Sequence, residues 1–233
     1  MDEFLVPWKI VCYNVPVGLR VQTTYTNVQN TNVYENLSFA KLTNQVKYEE
    51  DSQMKKFSVK TVVAIGIGAA LFFVLGKIAI PSFVANTNIS LQYAILAMFA
   101  TLFGPIAGAL IGFIGHTLID ATSYGPWWSW IIASAVVGAI IGLMTMKLDL
   151  SDGFDKKKMI KFNIAQIVAH LVAWAVVAPV LDIVIYSEPV EKLFAQGLMA
   201  SIANIITTGV VGTLLLFAYS KTLVKKGSLS KED

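Results

Sequence analysis

Residues 104–142 read GPIAGALIGFIGHTLIDATSYGPWWSWIIASAVVGAIIG. Two apolar runs, Pro105 to Asp120 and Trp127 to Met146, flank a short polar loop. Gly104, Gly108 and Gly112 recur every fourth residue in the first run, as do Gly138 and Gly142 in the second. In lipid no hydrophobic force draws helices together, so such rows of small residues let backbones approach and gain dispersion contacts. The stretch reads as a pair of membrane helices packed through their glycines.

Outward from this pair, apolar runs recur at Ser58 to Gly76, Ile89 to Phe103, Ile160 to Tyr186 and Leu193 to Tyr219. About 20 residues at ~1.5 Å rise cover the ~30 Å hydrocarbon layer, so these lengths suit transmembrane helices. The expected fold is all-α: a polytopic bundle of six transmembrane helices. The second and third runs are short and separated by Gly104-Pro105; proline lacks the amide proton and disfavours helix at the preceding residue, which predicts a turn there. One long kinked span is the alternative, giving five crossings.

Charge placement separates the two counts. With six crossings, Lys147, Lys156, Lys157, Lys158, Lys161, Lys221, Lys225, Lys226 and Lys231 collect on one side with Lys55, Lys56 and Lys60, while Lys77 and Lys192 stand on the other. The positive-inside rule then puts both termini in the cytoplasm. Five crossings would split the lysine clusters between two sides, which the same rule disfavours. The expected location is the plasma membrane.

Composition agrees. Hydrophobic residues make up 55% and charged residues 14% of the chain, and the mean hydropathy is +0.63, more than a soluble domain of this size needs. The net charge of +3 lies in short clusters without interleaved aromatics, which argues against nucleic acid as a partner. A lone cysteine, Cys12, excludes an internal disulfide and a cysteine metal cluster. Composition changes near Met54: residues 1–53 are polar and lack a signal-peptide pattern, and Met54-Lys55-Lys56-Phe57 resembles a natural start. Residues 1–53 are expected to be an extension or a misassigned start, and residues 54–233 the six-helix substrate-binding domain.

Polar residues inside a membrane are costly and usually line a cavity or path. Most here fall toward one end of the expected bundle: Asn88 and Gln92 after the first helix, His116 and Asp120 one helical turn apart on the third, then Trp127, Trp128 and Trp130. His170 on the fifth helix and Asn204 on the sixth lie deeper. Trp127 and Trp130 also suit an interfacial belt, His116 and Asp120 a pair that orients a helix end, and His170 and Asn204 plain interhelical hydrogen bonds. Gln166 and Asp182 are assigned to structural roles. Three tryptophans in four residues exceed what a belt requires, and Trp128 is the first choice for a ring that stacks on a ligand.

Chemistry is excluded more firmly. His116, Asp120 and His170 form no metal-binding spacing, so no metal and no cofactor are expected. There is no H-E-x-x-H, no G-x-S-x-G and no phosphate-binding G-x-x-x-x-G-K-[ST] motif. Energy for transport must come from a partner or a gradient.

Residues 103–142, together with MKKFSVKTVVAIGIGAALFFVLG at 54–76 and IPSFVANTNISLQY at 80–93, resemble the substrate-binding S components of energy-coupling factor transporters. The narrower resemblance is to the subgroup linked to hydroxymethylpyrimidine or pyridoxine. It covers residues 54–233 nearly end to end. It implies a six-helix bundle that captures a vitamin at the outer face beneath the loop joining its first two helices. It also implies partners: a transmembrane coupling subunit and two ATP-binding subunits that supply the work. The family meets the coupling subunit through small residues of the first helix, here Ala64 and Gly68 with Gly66 and Ala70; the strict alanine pair is not reproduced. A flat heteroaromatic ligand then suits Asn88, Gln92, His116, Asp120, Trp127, Trp128, Trp130, His170 and Asn204. A stand-alone secondary transporter or channel for a small polar solute is the competing expectation; no internal repeat of the kind such transporters carry is evident.

Overall fold

The computed structural model describes residues 58–223; the polar segment 1–53 and the lysines at 55, 56, 225, 226 and 231 lie outside them. The described residues fold into helices α1 (Val59–Lys77), α2 (Gln92–Phe103), α3 (Pro105–Ala121), α4 (Trp128–Thr145), α5 (Lys156–Tyr186) and α6 (Val190–Thr222). Between α1 and α2 lies a two-stranded antiparallel ladder, β1 (Ile80–Pro81) with β2 (Asn88–Ile89). Helices α1, α4, α5 and α6 are long and apolar enough to cross a membrane, whereas α2 and α3 are shorter apolar helices.

Local chemistry sets the boundaries. The Ser58 hydroxyl accepts the Thr61 amide at 3.2 Å and the Asp155 carboxylate accepts the Lys158 amide at 2.9 Å, so both residues act as N-caps. The Asp155 cap starts α5 at Lys156, a turn earlier than the apolar run that began the expected helix at Ile160. The second helix starts later than expected, at Gln92, because Asn88 and Ile89 pair with β1 instead of joining it. Gly104 divides α2 from α3 with φ +87°, a conformation L side chains rarely adopt, so the two are separate helices and not one kinked span.

Facing positions give the helix directions. Gly68 of α1 lies against Phe99 of α2 and Ile111 of α3, and Gly76 lies against Gln92 and Ile119. Helix α1 is therefore antiparallel to α2 and parallel to α3. Gly108 faces Gly138, Gly112 faces Ser134 and Gly142 faces Pro105, so α4 runs back along α3. A Cβ on Gly138 would stand 2.2 Å from the Gly108 carbonyl oxygen, so backbone meets backbone at this crossing. Helix α6 runs back along α5, with Gly197 at Trp174 and Gly209 at Asn163. Asp182, late in α5, meets Ser129, early in α4, which sets these two antiparallel as well. Direction thus alternates along the chain, and the α1–α2, α3–α4 and α5–α6 loops gather at one end.

The interior is filled by Phe72, Leu96, Ile111, Ile131, Ile141, Phe162 and Leu216, all fully buried. Large aliphatic side chains such as Val62, Ile67, Leu143, Ile164, Leu198 and Ile206 cover the outside. An apolar exterior of this kind suits lipid. Two wide π-helical turns interrupt the long helices, at Ala173–Val177 in α5 and Thr208–Gly212 in α6. The first lies just before Pro179, whose missing amide proton disturbs the regular ladder.

The small residues of α1 divide differently from expectation. Ala64 and Gly68, expected to meet a separate subunit, are both buried within the bundle, Gly68 against its own α2 and α3. Gly66, which has open space where a Cβ would stand, and Ala70 face outward. The physical reason is helix rotation: residues two apart stand about 200° apart around an α-helix, so the two pairs occupy opposite sides.

Candidate functional site

The loop after α1 is built from short-range hydrogen bonds. Around the β1–β2 pair, the Ser82 amide donates to the Thr87 carbonyl at 3.0 Å and the Thr87 hydroxyl to the Val84 carbonyl at 2.6 Å. Asn86 turns the chain with φ 60°, a region asparagine tolerates better than most residues. From α6, the Gln196 side-chain amide donates to the Ala85 carbonyl at 2.9 Å, tying the loop to the bundle.

Between this loop and the ends of α4, α5 and α6 lies a cavity of about 580 Å³, within the range of small-molecule sites. The loop contributes Pro81, Ser82 and residues 84–88; the bundle and its α3–α4 loop contribute Tyr124, Trp127, Trp130 and Asp182; the Glu188–Lys192 ion pair, 2.7 Å, Leu193 and Gln196 complete the lining. It therefore combines two indole rings, several polar groups and charges of both signs.

Trp127 is held on several sides. Its indole N–H donates to the Asp182 carboxylate at 2.7 Å, its backbone N–H to Asp120 at 3.0 Å, and its ring stacks on Tyr186 with centroids 4.1 Å apart. The Trp130 indole donates to the other Asp182 oxygen at 2.9 Å, and the Ser129 hydroxyl donates to Asp182 as well. Asp120 is fully buried behind Trp127 and also accepts from the Tyr124 hydroxyl at 3.1 Å. Partial burial of that hydroxyl and the neighbouring carboxylate push the Tyr124 phenol up to about 12, so it stays a proton donor at neutral pH. On the α1 side, Lys77 closes the end of α3 by donating to the Ile119 carbonyl at 3.2 Å and to Ser123 at 2.7 Å.

Of the residues singled out from the sequence, Asn88, Trp127 and Trp130 border the cavity. His116 and Asp120 do meet, at 3.5 Å, but both are buried behind it, with His116 Nδ1 against Ser134 and Ser134 against the Tyr93 hydroxyl. Gln92 is buried as the first residue of α2. His170 is fully buried between Thr208, 3.1 Å away, and the Trp174 indole, 3.1 Å away, and Asn204 is buried on α6 one turn before Thr208. Gln92, His116, Asp120, His170 and Asn204 are not among the cavity-lining residues.

Trp128, the first choice for a stacking ring, lies elsewhere. It is 46% exposed on the outer surface beside Phe113, ring centroids 6.4 Å apart, and does not line the cavity. Trp128 and Trp130 are two residues apart on one helix and so point to different sides, whereas Trp127, the extended residue before α4, turns toward the cavity with Trp130. Asp182, assigned to a structural role from the sequence, also borders the cavity. A carboxylate inside an apolar run, one helical turn before Tyr186, opposite a run of three indoles, was the available signal.

Residues 56–221 match the family model described as ECF-type riboflavin transporter, S component. A UPF0397 protein of Staphylococcus aureus (strain JH9) is 52% identical over 184 residues, which span 77% of this chain and 100% of the relative. The UPF0397 protein of Staphylococcus aureus (strain Newman) is 51% identical over the same length and coverage. With apolar helices cased in aliphatic side chains and a ligand-sized cavity at one end of the bundle, the chain belongs to the ECF-type riboflavin transporter S component family: it is a membrane-embedded substrate-capture subunit and not an enzyme.

Proposed function

We propose that the chain captures a small, flat heteroaromatic vitamin or vitamin precursor in the cavity beneath the 80–91 loop. Hydroxymethylpyrimidine and pyridoxine are the favoured ligands. The observation that carries this reading is the pairing of the Trp127 and Trp130 rings with polar groups in one cavity of about 580 Å³. Indole faces suit a planar ring, and a few polar groups orient it. Asn88, on the loop, supplies one such group; the loop serves as the lid. Because the family's description names riboflavin, riboflavin is the competing ligand.

All six helices cross the plasma membrane in this reading, with both termini in the cytoplasm. Its support is the alternating helix direction together with the lysines of 147–161 and 221, which lie toward the end of the bundle away from the cavity. The cavity then faces outward. A transmembrane coupling subunit and two ATP-binding subunits supply the work, and the outward face of α1 around Gly66 and Ala70 is the surface offered to the coupling subunit.

Two experiments test this. Calorimetric titration of the purified protein with hydroxymethylpyrimidine, pyridoxine and riboflavin is expected to show one tight 1:1 ligand. Purification from native membranes is expected to bring down a coupling subunit and two ATPases; uptake by the chain alone would refute the assembly.

A further inference from the structure

We infer that Asp182 is the positioning residue of the cavity: one carboxylate from α5 fixes the rings of Trp127 and Trp130 as a single wall. This rests on the cavity being the capture site proposed above.

The two indoles approach the same carboxylate from different places. Trp127 precedes α4 and gives its N–H to one oxygen at 2.7 Å; Trp130 lies within the first turn and gives its N–H to the other at 2.9 Å. Ser129, between them, donates to the first oxygen. Asp182 is 2% exposed, so its carboxylate is largely screened from bulk water and held by protein donors. Each indole has a second hold: Trp127 stacks on Tyr186, and Trp130 packs at 5.1 Å on Trp174. A tryptophan side chain rotates about two bonds, and a bond at its far edge together with a ring contact leaves neither free. The α4–α5 link thus presets ring orientation before any ligand arrives, which lowers the entropy lost on binding.

An asparagine at 182 presents an N–H₂ group to donors it cannot accept from, so at least one indole must be released. The full chain, labelled with ¹⁵N-tryptophan and reconstituted in lipid nanodiscs, tests this. In the parent, the indole proton resonances of Trp127 and Trp130 are expected downfield of that of Trp128. In Asp182→Asn they should move upfield and broaden while Trp128 stays, with Asp182→Glu restoring part of the shift. Whichever of hydroxymethylpyrimidine, pyridoxine or riboflavin the parent binds should bind Asp182→Asn at least tenfold more weakly. Unchanged Trp127 and Trp130 resonances in Asp182→Asn would overturn the inference. If that variant does not accumulate in membranes, the parent spectrum decides: three equivalent indole resonances would overturn it equally. A parent that binds none of the three probes contradicts the capture reading instead, and leaves the resonances to decide the role of Asp182.

Discussion

The Trp127 indole and the Asp182 carboxylate meet at 2.7 Å although 55 positions separate them in the chain. This bond joins the loop end of α4 to the loop end of α5 at the cavity wall, and it makes the two tryptophans that border the cavity unequal to the one that does not.

Truncating the two classes of tryptophan should separate them. Trp127→Ala or Trp130→Ala removes a ring from the cavity wall and is expected to weaken ligand binding at least tenfold, or about 1.4 kcal/mol. Trp128→Ala removes a ring from the outer surface and should leave the dissociation constant within about twofold of the parent, because truncation away from the contact leaves most binding energy intact. Calorimetry on the three variants measures this.

Gln196→Ala removes the side-chain bond that ties the loop to α6 at Ala85. A single neutral hydrogen bond contributes about 1 kcal/mol net, so ligand dissociation should accelerate by roughly fivefold while association changes less. Stopped-flow tryptophan fluorescence reads both rates.

Helix packing yields a contrast within the glycines. Gly138→Ala drives a methyl group into the Gly108 carbonyl, 2.2 Å away, and should cost about 1–3 kcal/mol as a forced separation of α3 from α4. Gly66→Ala meets open space and should leave the isolated protein at least as stable as the parent. Thermal unfolding in detergent compares them. If α1 docks the coupling subunit through this face, Gly66→Leu should reduce co-purification without lowering the unfolding temperature.

How far the sequence carried these assignments depends on what each one needed. Hydropathy and the Gly104-Pro105 break located the helices among the described residues, because burial in lipid demands long apolar runs and a positive-φ glycine ends one abruptly. The placement of Trp128 outside the cavity was not legible because it depends on where α4 begins and which of its faces looks inward. The burial of Ala64 and Gly68 within the bundle was hidden for the same reason, as two rows of small residues on one helix cannot be told apart without its rotation. Asp182 was hidden by its partners, all of them 52 or more positions away.

His170 offers a test of a purely structural polar residue. Trp174 donates to His170 Nδ1, so in the neutral ring Nε2 carries the proton and donates to Thr208. Thr208→Val leaves that proton unpaired and is expected to cost about 0.6–2 kcal/mol. Ligand affinity should change by less than twofold, since His170 does not line the cavity. Unfolding and calorimetry on the same variant check both halves.

Capture itself is tested by calorimetric titration of the nanodisc-reconstituted protein with hydroxymethylpyrimidine, pyridoxine and riboflavin, run beside Trp127→Ala. The expected result is one ligand bound 1:1 by the parent and at least tenfold more weakly by Trp127→Ala. Heat from none of the three, or equal affinity in Trp127→Ala, would contradict a capture site at this cavity.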